Sequence, residues 1–264
     1  MWHNLATLFK YRGLIQSLVA RDLKARYRGS VLGFFWSFVN PLLLLSIYSF
    51  VFTTIMKSTD PKTQPYAVFM FCGLLPWTWF ASSLNEAAGS LISGGNLIKK
   101  VLFPAEILPI VTVLTNMVHF LLGLIILAAF MIYHRHVPDW SQLGWFPVIV
   151  LVQLILTLGL AFIVSGLTVL FRDLRDLLAN LLTFWFFATP IIYFYGADTM
   201  IPFKKYFNLN PFFHLAAAYQ EVLFFHGDFG AWKGLAAVGA GSIVVFLAGY
   251  WLFDRLRDSF AEAV

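Results

Sequence analysis

The chain has 264 residues, of which 60% are hydrophobic and only 12% are charged, and its mean hydropathy is +0.78. A soluble domain carries about 25% charged residues, so this chain has too few polar side chains to cover a water-facing surface and is predicted to be an integral membrane protein. Its net charge of +5 is explained first by membrane topology and anionic headgroups, so it is no argument for nucleic-acid binding.

The N-terminal region joins a basic amphipathic stretch to an apolar aromatic one. Over residues 5–28, apolar side chains recur at helical spacing and basic side chains occupy much of the rest. This pattern predicts a surface helix that lies in the membrane interface, after which the chain enters the bilayer from the cytoplasmic side. Such a helix either anchors the topology alone or also contacts a cytoplasmic partner or a phosphate headgroup.

Six segments reach or approach the roughly 20 apolar residues that a bilayer span needs. They are residues 31–56, 66–92, 105–133, 145–171, 177–195 and 233–253. The fifth is short before Pro190, so its end is expected to be broken or re-entrant. Residues 196–232 are too polar to span and too apolar for a solvated loop, which predicts short helices that lie in the interface or dip into it.

The distribution of basic residues predicts the orientation of these spans. Twelve Lys and Arg residues fall in the N-terminal segment, the second–third loop, the fourth–fifth loop and the C-terminal segment, whereas six fall in the remaining loops. Because basic loops stay in the cytoplasm, both termini are predicted to be cytoplasmic. Six spans with both ends on one side are consistent with this orientation.

Two of the predicted cytoplasmic loops have an unusual composition. Between the second and third spans, Gly94 and Pro104 enclose a short amphipathic segment that is more apolar than a solvated loop. Exposed apolar patches usually bind a partner, and the alternative is that this segment lies on the membrane. Between the fourth and fifth spans, residues 171–177 carry two Arg–Asp pairs. These are typical either of a solvated loop, where ion pairs contribute little, or of a second docking turn.

Two polar residues stand out inside the predicted spans. Glu86 is the only acidic residue well inside a span, and an intramembrane carboxylate is a functional candidate by default. Its polar neighbours, such as Ser82 and Asn85, favour the wall of a water-lined cavity. For His119, the expected role is a helix-facing hydrogen bond.

Aromatic residues make up 18% of the chain and are frequent in the first and fifth predicted spans. These side chains either simply face the lipid, or they form a series of flat apolar rings, some with an O–H or N–H group, along which a sugar chain slides. The candidate channel aromatics are Phe34, Phe35, Trp36, Phe38, Trp185, Phe187, Tyr193 and Tyr195.

The sequence contains no catalytic or energy-coupling motif of its own. It has no G-x-x-x-x-G-K-[ST] phosphate loop, no H-E-x-x-H and no paired-acid motif. Its one cysteine, Cys72, excludes an intrachain disulfide and a cysteine-cluster metal site. We therefore expect neither catalysis nor a metal site on this chain, and if the protein moves something uphill, another chain must supply the ATP.

Four sequence segments occur in a characteristic order. They are Arg21-Asp-Leu-Lys-Ala-Arg-Tyr-Arg-Gly-Ser-Val-Leu-Gly33 with Trp36 and Pro41, then Asn96-Leu-Ile-Lys-Lys-Val-Leu-Phe-Pro104, then Phe171-Arg-Asp173, then Leu209-Asn-Pro211. Together with six spans, this order resembles the ABC-2 type permeases that export polysaccharides, a family that includes the membrane subunits of O-antigen, capsule and teichoic-acid exporters. The resemblance covers essentially the whole chain. It implies an all-α polytopic fold and a single ABC-2 type transmembrane domain over residues 1–264.

The resemblance also implies an assembly. A homodimer of this permease would bind two copies of a separate ABC ATP-binding subunit, which would carry the ATP and Mg, so that this chain itself has no cofactor. Residues 5–28 would form the interface helix, residues 95–103 the coupling helix, and residues 196–230 short extracytoplasmic re-entrant helices. The residues implied in coupling to the ATPase are Asn96, Leu97, Ile98, Lys99, Lys100, Val101, Phe103, Arg172 and Asp173.

The implied substrate is a glycan, often on a polyprenyl-pyrophosphate or another lipid carrier, and the implied location is the inner membrane of a bacterium. Since Arg forks fit phosphate oxygens, basic residues of the interface helix are expected at the cytoplasmic substrate entrance. These entrance residues are Arg21, Lys24, Arg26 and Arg28. Dimerisation would create a channel between the aromatic-rich first and fifth spans of the two subunits.

Three other functions compete with polysaccharide export. An ABC-2 exporter of a small lipid or a drug is disfavoured by the aromatic content and the N-terminal motif. An ion-coupled secondary transporter should show intramembrane ionisable clusters and inverted repeats, and the sequence shows neither. A membrane-embedded glycosyl or prenyl transferase needs clustered acids or His at one membrane face. Asp173 and Asp176 are a poor pair for that role because each adjoins an Arg.

Overall fold

The computed structural model describes residues 11–55, 61–95, 103–194 and 204–263, and every regular element in these ranges is helical. The all-α prediction is therefore confirmed for that part of the chain. The helices are α1 (Arg12–Arg26), α2 (Trp36–Ser49, continued by a π-helical turn over Phe50–Ile55), α3 (Tyr66–Ser93), α4 (Ile107–Tyr133), α5 (Phe146–Leu170), α6 (Leu174–Phe187), α7 (Lys204–Phe207), α8 (Pro211–Leu223) and α9 (Trp232–Ala263).

Four segments in the described ranges are long and apolar enough to cross a membrane. They are Tyr66–Ser93, Ile107–Tyr133, Leu143–Leu170 and Trp232–Arg257. These segments correspond to the second, third, fourth and sixth predicted spans. Helices α2 and α6 have 14 residues each, so each is about 21 Å long, which is less than the bilayer core of about 30 Å.

Helix α2 begins later than the predicted span of residues 31–56. Gly29 and Gly33 have φ values of +79° and +49°, a left-handed backbone that favours glycine. The chain therefore passes through turns and a short 3-10 helix (Gly33–Phe35) before α2 begins at Trp36. The Trp36 indole Nε1 donates a hydrogen bond of 3.1 Å to Ser30 Oγ. This turn separates the basic helix α1 from the apolar helix α2.

Helix α6 occupies only part of the predicted span of residues 177–195. It ends at Phe187 because Pro190 follows closely, and the residue before a proline avoids the α conformation. Residues 188–194 continue in turns and irregular structure, and Tyr195 lies outside the described residues.

Helix α3 lies at the centre of the molecule. Other helices cover 83% of its membrane-spanning window, and α4, α5 and α8 all pack against it. Trp79 of α3 stacks on Phe120 of α4 with ring centroids 5.1 Å apart, and its Nε1 donates to the Val113 carbonyl at 3.2 Å. Cys72 is fully buried in α3 and acts there as a small apolar side chain.

Helices α5 and α9 approach each other closely at two glycines. A Cβ atom on Gly159 would lie 2.7 Å from the backbone of Phe246, and one on Gly249 would collide with the carbonyl oxygen of Gly159. Small residues permit such close approach of helices in membranes. The pair therefore depends on the missing side chains at both positions.

We call one end of the molecule the α1 end, because α1 meets the end of α3 and the start of α4 there. Arg26 of α1 contacts Glu86, near the end of α3, and Leu18 of α1 packs on Ile107, at the start of α4. Three chain segments that are distant in sequence thus meet at this end.

The α5–α6 turn and the last part of α9 also lie at the α1 end. Arg175 lies 3.8 Å from the position that a Cβ on Gly89 of α3 would take. Arg257 of α9 lies 3.9 Å from Glu106, which precedes α4. The segments predicted to be cytoplasmic therefore converge, as far as they are described, at one end.

The opposite end is formed by the α4–α5 loop, residues 188–194 and the connection from α8 to α9. The Tyr66 hydroxyl donates to the Ile192 carbonyl at 2.8 Å. Glu221 Oε2 accepts from the backbone N–H groups of Gly230 and Ala231 at 3.0 and 2.9 Å. These bonds fix the loops of this end to α3 and α8.

Candidate functional site

Helix α1 is held against the start of α4 by its apolar side. Leu18 is buried against Ile107 and Val111 of α4, and Phe103 packs against the same cluster. The basic residues of α1 are exposed, so the helix presents its apolar side inward and its charges outward. The first part of the predicted interface helix, residues 5–10, lies outside the described residues.

Arg26 connects α1 to α3 and α4. Its Nη2 donates to Oε2 of Glu86 in α3 at 2.7 Å, and its Nη1 donates to Oδ1 of Asn116 in α4 at 3.5 Å. Asn116 Nδ2 donates to the same Glu86 oxygen at 2.8 Å. Because the Arg26 and Glu86 side chains are 35% and 40% exposed, solvent screens the pair. We therefore assign the pair a role in positioning α1 more than in overall stability.

A second hydrogen-bond chain links the residue after α1 to α2 and α4. His119 Nδ1 lies 3.0 Å from the Thr115 carbonyl, which can only accept, so Nδ1 carries the proton. In the neutral ring Nε2 then accepts from the Tyr27 hydroxyl at 2.6 Å, and Ser37 Oγ, 2.5 Å from that hydroxyl, donates to it. The expected helix-facing hydrogen bond of His119 is present, and the chain fixes the start of α2 as well.

The predicted coupling helix, residues 95–103, lies almost entirely outside the described residues. The positions outside are Asn96, Leu97, Ile98, Lys99, Lys100, Val101 and Leu102. The structure describes the two borders of this stretch. At one border Gly94 ends α3, and at the other Phe103 packs against both the α1–α4 cluster and the cluster that includes the last part of α9. Phe103 is thus in contact with residues of α1, α4 and α9.

Glu106 lies beside this border and is 5% exposed. Its Oε1 is 3.9 Å from Arg257 Nη1, and its Oε2 has no hydrogen-bond partner among the described residues. A buried carboxylate needs a charge partner. Arg257 supplies that charge, which links the last part of α9 to the start of α4.

Arg172 and Asp173 form the exposed turn between α5 and α6. Neither makes an ion pair within the described ranges, and the side chain of Asp173 does not cap α6. The turn lies at the α1 end, where its charges face outward. This geometry leaves the turn accessible to another protein.

The four entrance candidates divide into two pairs. Arg21 lies 3.4 Å from Asp22, and Arg26 lies 2.7 Å from Glu86. Lys24 and Arg28 are exposed and form no ion pair in the part of the chain that is described. They are the more available cations for an anionic ligand at the α1 end.

The predicted channel aromatics of the first span have different environments. Phe35 is 69% exposed, whereas Phe38 packs against the main core. Trp36 is partly buried and is held by its bond to Ser30. The side chain of Phe34 lies outside the described set.

The aromatics of the fifth predicted span lie along a groove. Trp185 packs edge-on against Phe80 of α3 with centroids 5.3 Å apart, while Phe187 is 58% exposed. The Tyr193 hydroxyl donates to the Phe187 carbonyl at 3.0 Å. Together with Asn210, these α6 and post-α6 residues line a groove of about 790 Å³.

Asn210 connects the end of α6 to α8, and all of its side-chain bonding groups are used. Its Oδ1 accepts from Trp185 Nε1 at 2.7 Å and from the Phe212 backbone N–H at 2.9 Å, which caps α8. Its Nδ2 donates to the Ala188 carbonyl at 3.1 Å and to Thr189 Oγ1 at 2.9 Å. The asparagine of the fourth motif segment thus has a clear structural role.

Sequence reasoning missed the partners of Glu86. The spacing of Asn116 and His119 was an available sign, because residues three apart share one helix face and two polar groups on one face of an apolar span need partners. Arg26 and Tyr27 are also adjacent in sequence. No group of three or more His, Cys, Asp or Glu side chains that could hold a metal occurs among the described residues.

The chain is similar to known proteins over nearly its whole length. Residues 13–224 match the ABC-2 type transporter family. The chain is 40% identical over 258 residues to the O-antigen export system permease protein RfbA of Myxococcus xanthus, with 97% of each chain covered. It is 34% identical over 264 residues to a protein of the same name from Klebsiella pneumoniae, covering 99% of this chain and 98% of the relative. A more distant relative is the polysialic acid transport protein KpsM of Escherichia coli, 26% identical over 222 residues, covering 79% of this chain and 80% of the relative.

The family match runs from α1 to the end of α8. It therefore includes all four motif segments of the sequence and the hydrogen-bonded contacts of Arg26 and Asn210. The chain belongs to the ABC-2 type transporter family.

Proposed function

We propose that this chain is the membrane subunit of an ATP-driven exporter that moves a polysaccharide such as O-antigen, capsule or teichoic acid across the inner membrane of a bacterium. The observation that carries the proposal is the near full-length similarity to proteins named O-antigen export system permeases, at 40% identity over 97% of the chain. The glycan would travel on a lipid carrier, with the basic residues of the α1 end at its entrance.

The ATP-binding subunit would dock at the α1 end. The borders of residues 96–102 and the exposed turn at Arg172 and Asp173 both lie there, next to α1. Residues 95–103 would be the coupling helix and residues 171–177 a smaller second contact. Since the sequence has no phosphate loop, ATP and Mg would remain on two copies of the partner subunit, and this chain would be no enzyme.

The α1 end would face the cytoplasm, with both termini on that side and six spans in one domain. Basic side chains of the described residues support this orientation through the positive-inside rule. The basic residues at the α1 end are Arg12, Arg21, Lys24, Arg26, Arg28, Arg172, Arg175, Arg255 and Arg257, and those of the other loops are Lys62, Arg135, Lys204, Lys205 and Lys233. In this arrangement α2 with its π-helical turn and α6 with residues 188–194 form the first and fifth spans.

A re-entrant exit segment is supported by the depth at which α8 begins. Phe212, at the start of α8, contacts Phe80 near the middle of α3, with centroids 4.8 Å apart. Phe224, just after α8, contacts Phe69 near the outer end of α3 at 5.4 Å. The chain therefore returns to the middle of α3 before α8 leads outward again, as a re-entrant segment would.

A homodimer would place the channel beside α6. Leu177, Leu181, Phe184 and Phe187 are each more than half exposed, and their spacing puts them on one face of the helix. The face continues into the aromatic groove. Two such faces would form an aromatic-lined path for a sugar chain.

Coupling would follow from the contacts at the α1 end. Closure of the ATPase dimer on ATP would push residues 95–103, and Phe103 would pass the displacement to α1 and α4. Arg26 would carry it on to Glu86 and hence to α3. Such rigid-body movement of packed helices would open the channel.

One observation favours an ion-coupled transporter instead. Glu86 and Arg26 form a partly exposed ion pair, and His119 lies about one helical turn from Asn116, which donates to Glu86. Ionisable groups close together serve proton relays in some transporters. The two mechanisms differ in the source of energy. Dependence of transport on ATP, with no dependence on a proton gradient, separates them.

Copurification from native membranes in mild detergent, with ATPase activity assayed on the eluate, tests the proposal. We expect a stoichiometric ATP-binding subunit to copurify. We expect its association or turnover to collapse in Leu97→Asp and in Phe103→Asp, because a charge would enter an apolar contact. The control is Val137→Asp, since Val137 is 55% exposed at the opposite end. A permease that purifies without an ATPase, or equal losses in all three variants, would overturn the proposal.

A further inference from the structure

A cavity of about 480 Å³ lies inside the subunit, between α1, α2, α3 and α4. Its volume falls within the range of about 300–1,000 Å³ that is usual for small-molecule sites. It is separate from the groove beside α6, with which it shares no lining residue. The coupling proposed above uses the contact of Arg26 with Glu86 and does not require the cavity itself, and the cations more available for the substrate entrance, Lys24 and Arg28, are not part of its lining.

The walls of this cavity change from polar to apolar along three helices in the same direction. On α2 the lining has the polar groups of Ser37 and Asn40, beside Trp36, at the α1 end. It continues through Pro41 to Leu44. Because α2 runs away from the α1 end and rises about 1.5 Å per residue, Leu44 lies about 10 Å deeper than Ser37.

The other two helices repeat this gradient. The polar α3 lining residues Ser82 and Thr78, with Trp79 between them, lie nearer the α1 end. The lining then continues through Leu75 and Leu74 to Phe71, about 16 Å deeper than Ser82. On α4 the lining begins with Asn116 and ends at Phe120. A sugar would need polar partners along its whole length, whereas a lipid needs them only at its head.

The polar end of the cavity carries a cation suited to phosphate. Arg26 lines it, and Arg26 has five N–H donors, of which one points to Glu86 and one to Asn116 among the described residues. Lys24 and Arg28 are exposed nearby and raise the positive potential that draws anionic headgroups. Glu86 is not part of the lining.

The cavity is open to the side along α2. Asn40 is exposed and Leu44 is 39% exposed, although both line the cavity. The neighbouring outer surface of α2 is apolar, with Leu43 50% and Ile47 58% exposed. The acyl chain of a ligand that extends from the cavity past Leu44 would therefore enter an apolar environment.

We propose that this cavity holds one anionic phospholipid of the bilayer. Its phosphate accepts hydrogen bonds from Arg26, its glycerol region lies among Ser37, Asn40 and Ser82, and one acyl chain follows Leu44 and Leu75 toward Phe71. The lipid is a fixed component of the permease that fills the space between α1 and the spans, and it is not the exported substrate. The proposal requires only that the protein lies in a membrane. A result that contradicts polysaccharide export would therefore leave the lipid proposal intact, and the reverse also holds.

Native mass spectrometry of the full chain, purified with any bound partner and exchanged into micelles that contain phosphatidylglycerol, tests this proposal. The wild type should retain one phospholipid per chain at collision energies that strip lipids bound at the surface. Arg26→Gln should lower the retained fraction about tenfold, as expected for the loss of charge-assisted hydrogen bonds to phosphate. Leu44→Trp should lower it similarly by filling the apolar part of the cavity.

Three matched variants separate lipid binding from structural damage. Glu86→Gln breaks the same ion pair as Arg26→Gln but keeps the cation, so it should retain the lipid. Arg135→Gln makes the same charge change at the opposite end of the molecule, where Arg135 is exposed, and Leu43→Trp adds the same bulk on the outer face of α2. Both should also retain it.

The outcomes are decisive in each arm. If Arg26→Gln does not fold, the comparison of Leu44→Trp with Leu43→Trp decides alone. Absence of a retained phospholipid in the wild type, or equal retention by Arg26→Gln, Leu44→Trp and the wild type, overturns the proposal. Retention of a polyprenyl phosphate at the expense of phosphatidylglycerol also overturns it, because the cavity would then belong to the substrate path.

Discussion

Asn210 is a single residue on which the contact between α6 and α8 depends. Asn210→Ala removes the acceptor for Trp185 Nε1 and the cap of α8, and it leaves buried polar groups unpaired. We expect a loss of about 2–3 kcal/mol of stability, seen as a fall of several degrees in melting temperature. Size-exclusion chromatography after heating measures this in detergent.

Asn208→Ala is the matched control for that variant. Asn208 is exposed two residues earlier and its backbone carbonyl accepts from His214 Nε2 at 3.0 Å, whereas its side chain forms no hydrogen bond within the described ranges. The melting temperature should therefore stay near that of the wild type. Equal losses in the two variants would show that any change in this segment destabilises the fold, which would contradict the specific role of Asn210.

At the residue scale, types of side chain were predictable but their partners were not. A carboxylate inside a span is rare, which makes Glu86 a candidate on sequence alone, yet its partner is Arg26, on a helix that the sequence places at the membrane surface. Asn210 was noted only as part of a motif. Its four bonds depend on how α6 ends, and α6 ends earlier than hydropathy alone indicates.

At the scale of elements, the α5–α9 pair depends on glycine. We expect Gly159→Ala to cost about 1–3 kcal/mol, because the new Cβ would meet the α9 backbone near Phe246 and neither helix can move without disturbing its other contacts. Thermal unfolding in detergent, followed by near-UV circular dichroism, measures the effect.

Gly241→Ala is the control within α9. No atom lies within 4 Å of the position of its new Cβ, so alanine should be neutral or should stabilise the helix by about 0.5–1 kcal/mol. If both alanine variants changed the melting temperature by the same amount, the effect would arise from the unfolded chain. The close approach of α5 and α9 would then not determine the stability.

The loop between α4 and α5 is held to the end of α8 by two histidines. His136 Nε2 donates to the Phe224 carbonyl and His226 Nε2 donates to the Val137 carbonyl, each at 2.9 Å, and the two rings lie 5.5 Å apart. Burial lowers the pKa of His136 below its usual 6.5; the bond to the Phe224 carbonyl opposes this, and the nearby His226 and His134 add to it.

This lowered pKa makes the loop contact sensitive to acid. The unfolded loop takes up a proton on His136 at a higher pH than the folded loop does, so the stabilisation is complete above about pH 6.5 and is lost as the pH falls below that value. Hydrogen–deuterium exchange at about pH 7.5 and about pH 5.5, corrected for intrinsic rates, should show reduced protection at residues 134–142 and 224–227 in acid. The α5–α9 pair should not change, and a pH-independent loop would contradict the prediction.

The existence of the long helices was predictable from hydropathy, because four runs are apolar over more than a bilayer thickness. The lengths of α2 and α6 were not. Helix α2 starts late because Gly29 and Gly33 adopt a left-handed backbone conformation. Helix α6 ends early because Pro190 follows it. Hydropathy averages over a window and does not register such local backbone constraints.

At the scale of the whole molecule, the proposed orientation can be tested by cysteine labelling. Cys72 is the only cysteine of the chain and is fully buried, so it should not react. Gln16→Cys, on the exposed side of α1, should react with a membrane-impermeant maleimide in inverted vesicles but not in spheroplasts. Val137→Cys, at the opposite end, should show the reverse pattern.

The wild type serves as the background in this labelling experiment. Reaction of the wild type would show that Cys72 is accessible and would contradict its burial. Labelling of both introduced cysteines from the same side of the membrane would contradict the assignment of the α1 end to the cytoplasm.

The family was predictable from the sequence because the four motif segments and the spans agree on one architecture, and the match over residues 13–224 confirms it. For the segments that meet at the α1 end, the sequence predicts only that they lie on the same side of the membrane. Their actual contacts, such as Phe103 between α1 and α9, depend on the packing of the bundle.

The central claim is that ATP hydrolysis by a partner drives a glycan through this permease. The most direct test is ATP-dependent movement of labelled glycan into the lumen of inverted membrane vesicles, scored by protection from an added glycan-degrading enzyme. We predict protection with ATP, none with a non-hydrolysable analogue, and loss of protection in Phe103→Asp. Protection that requires a proton gradient and proceeds without ATP would contradict the account.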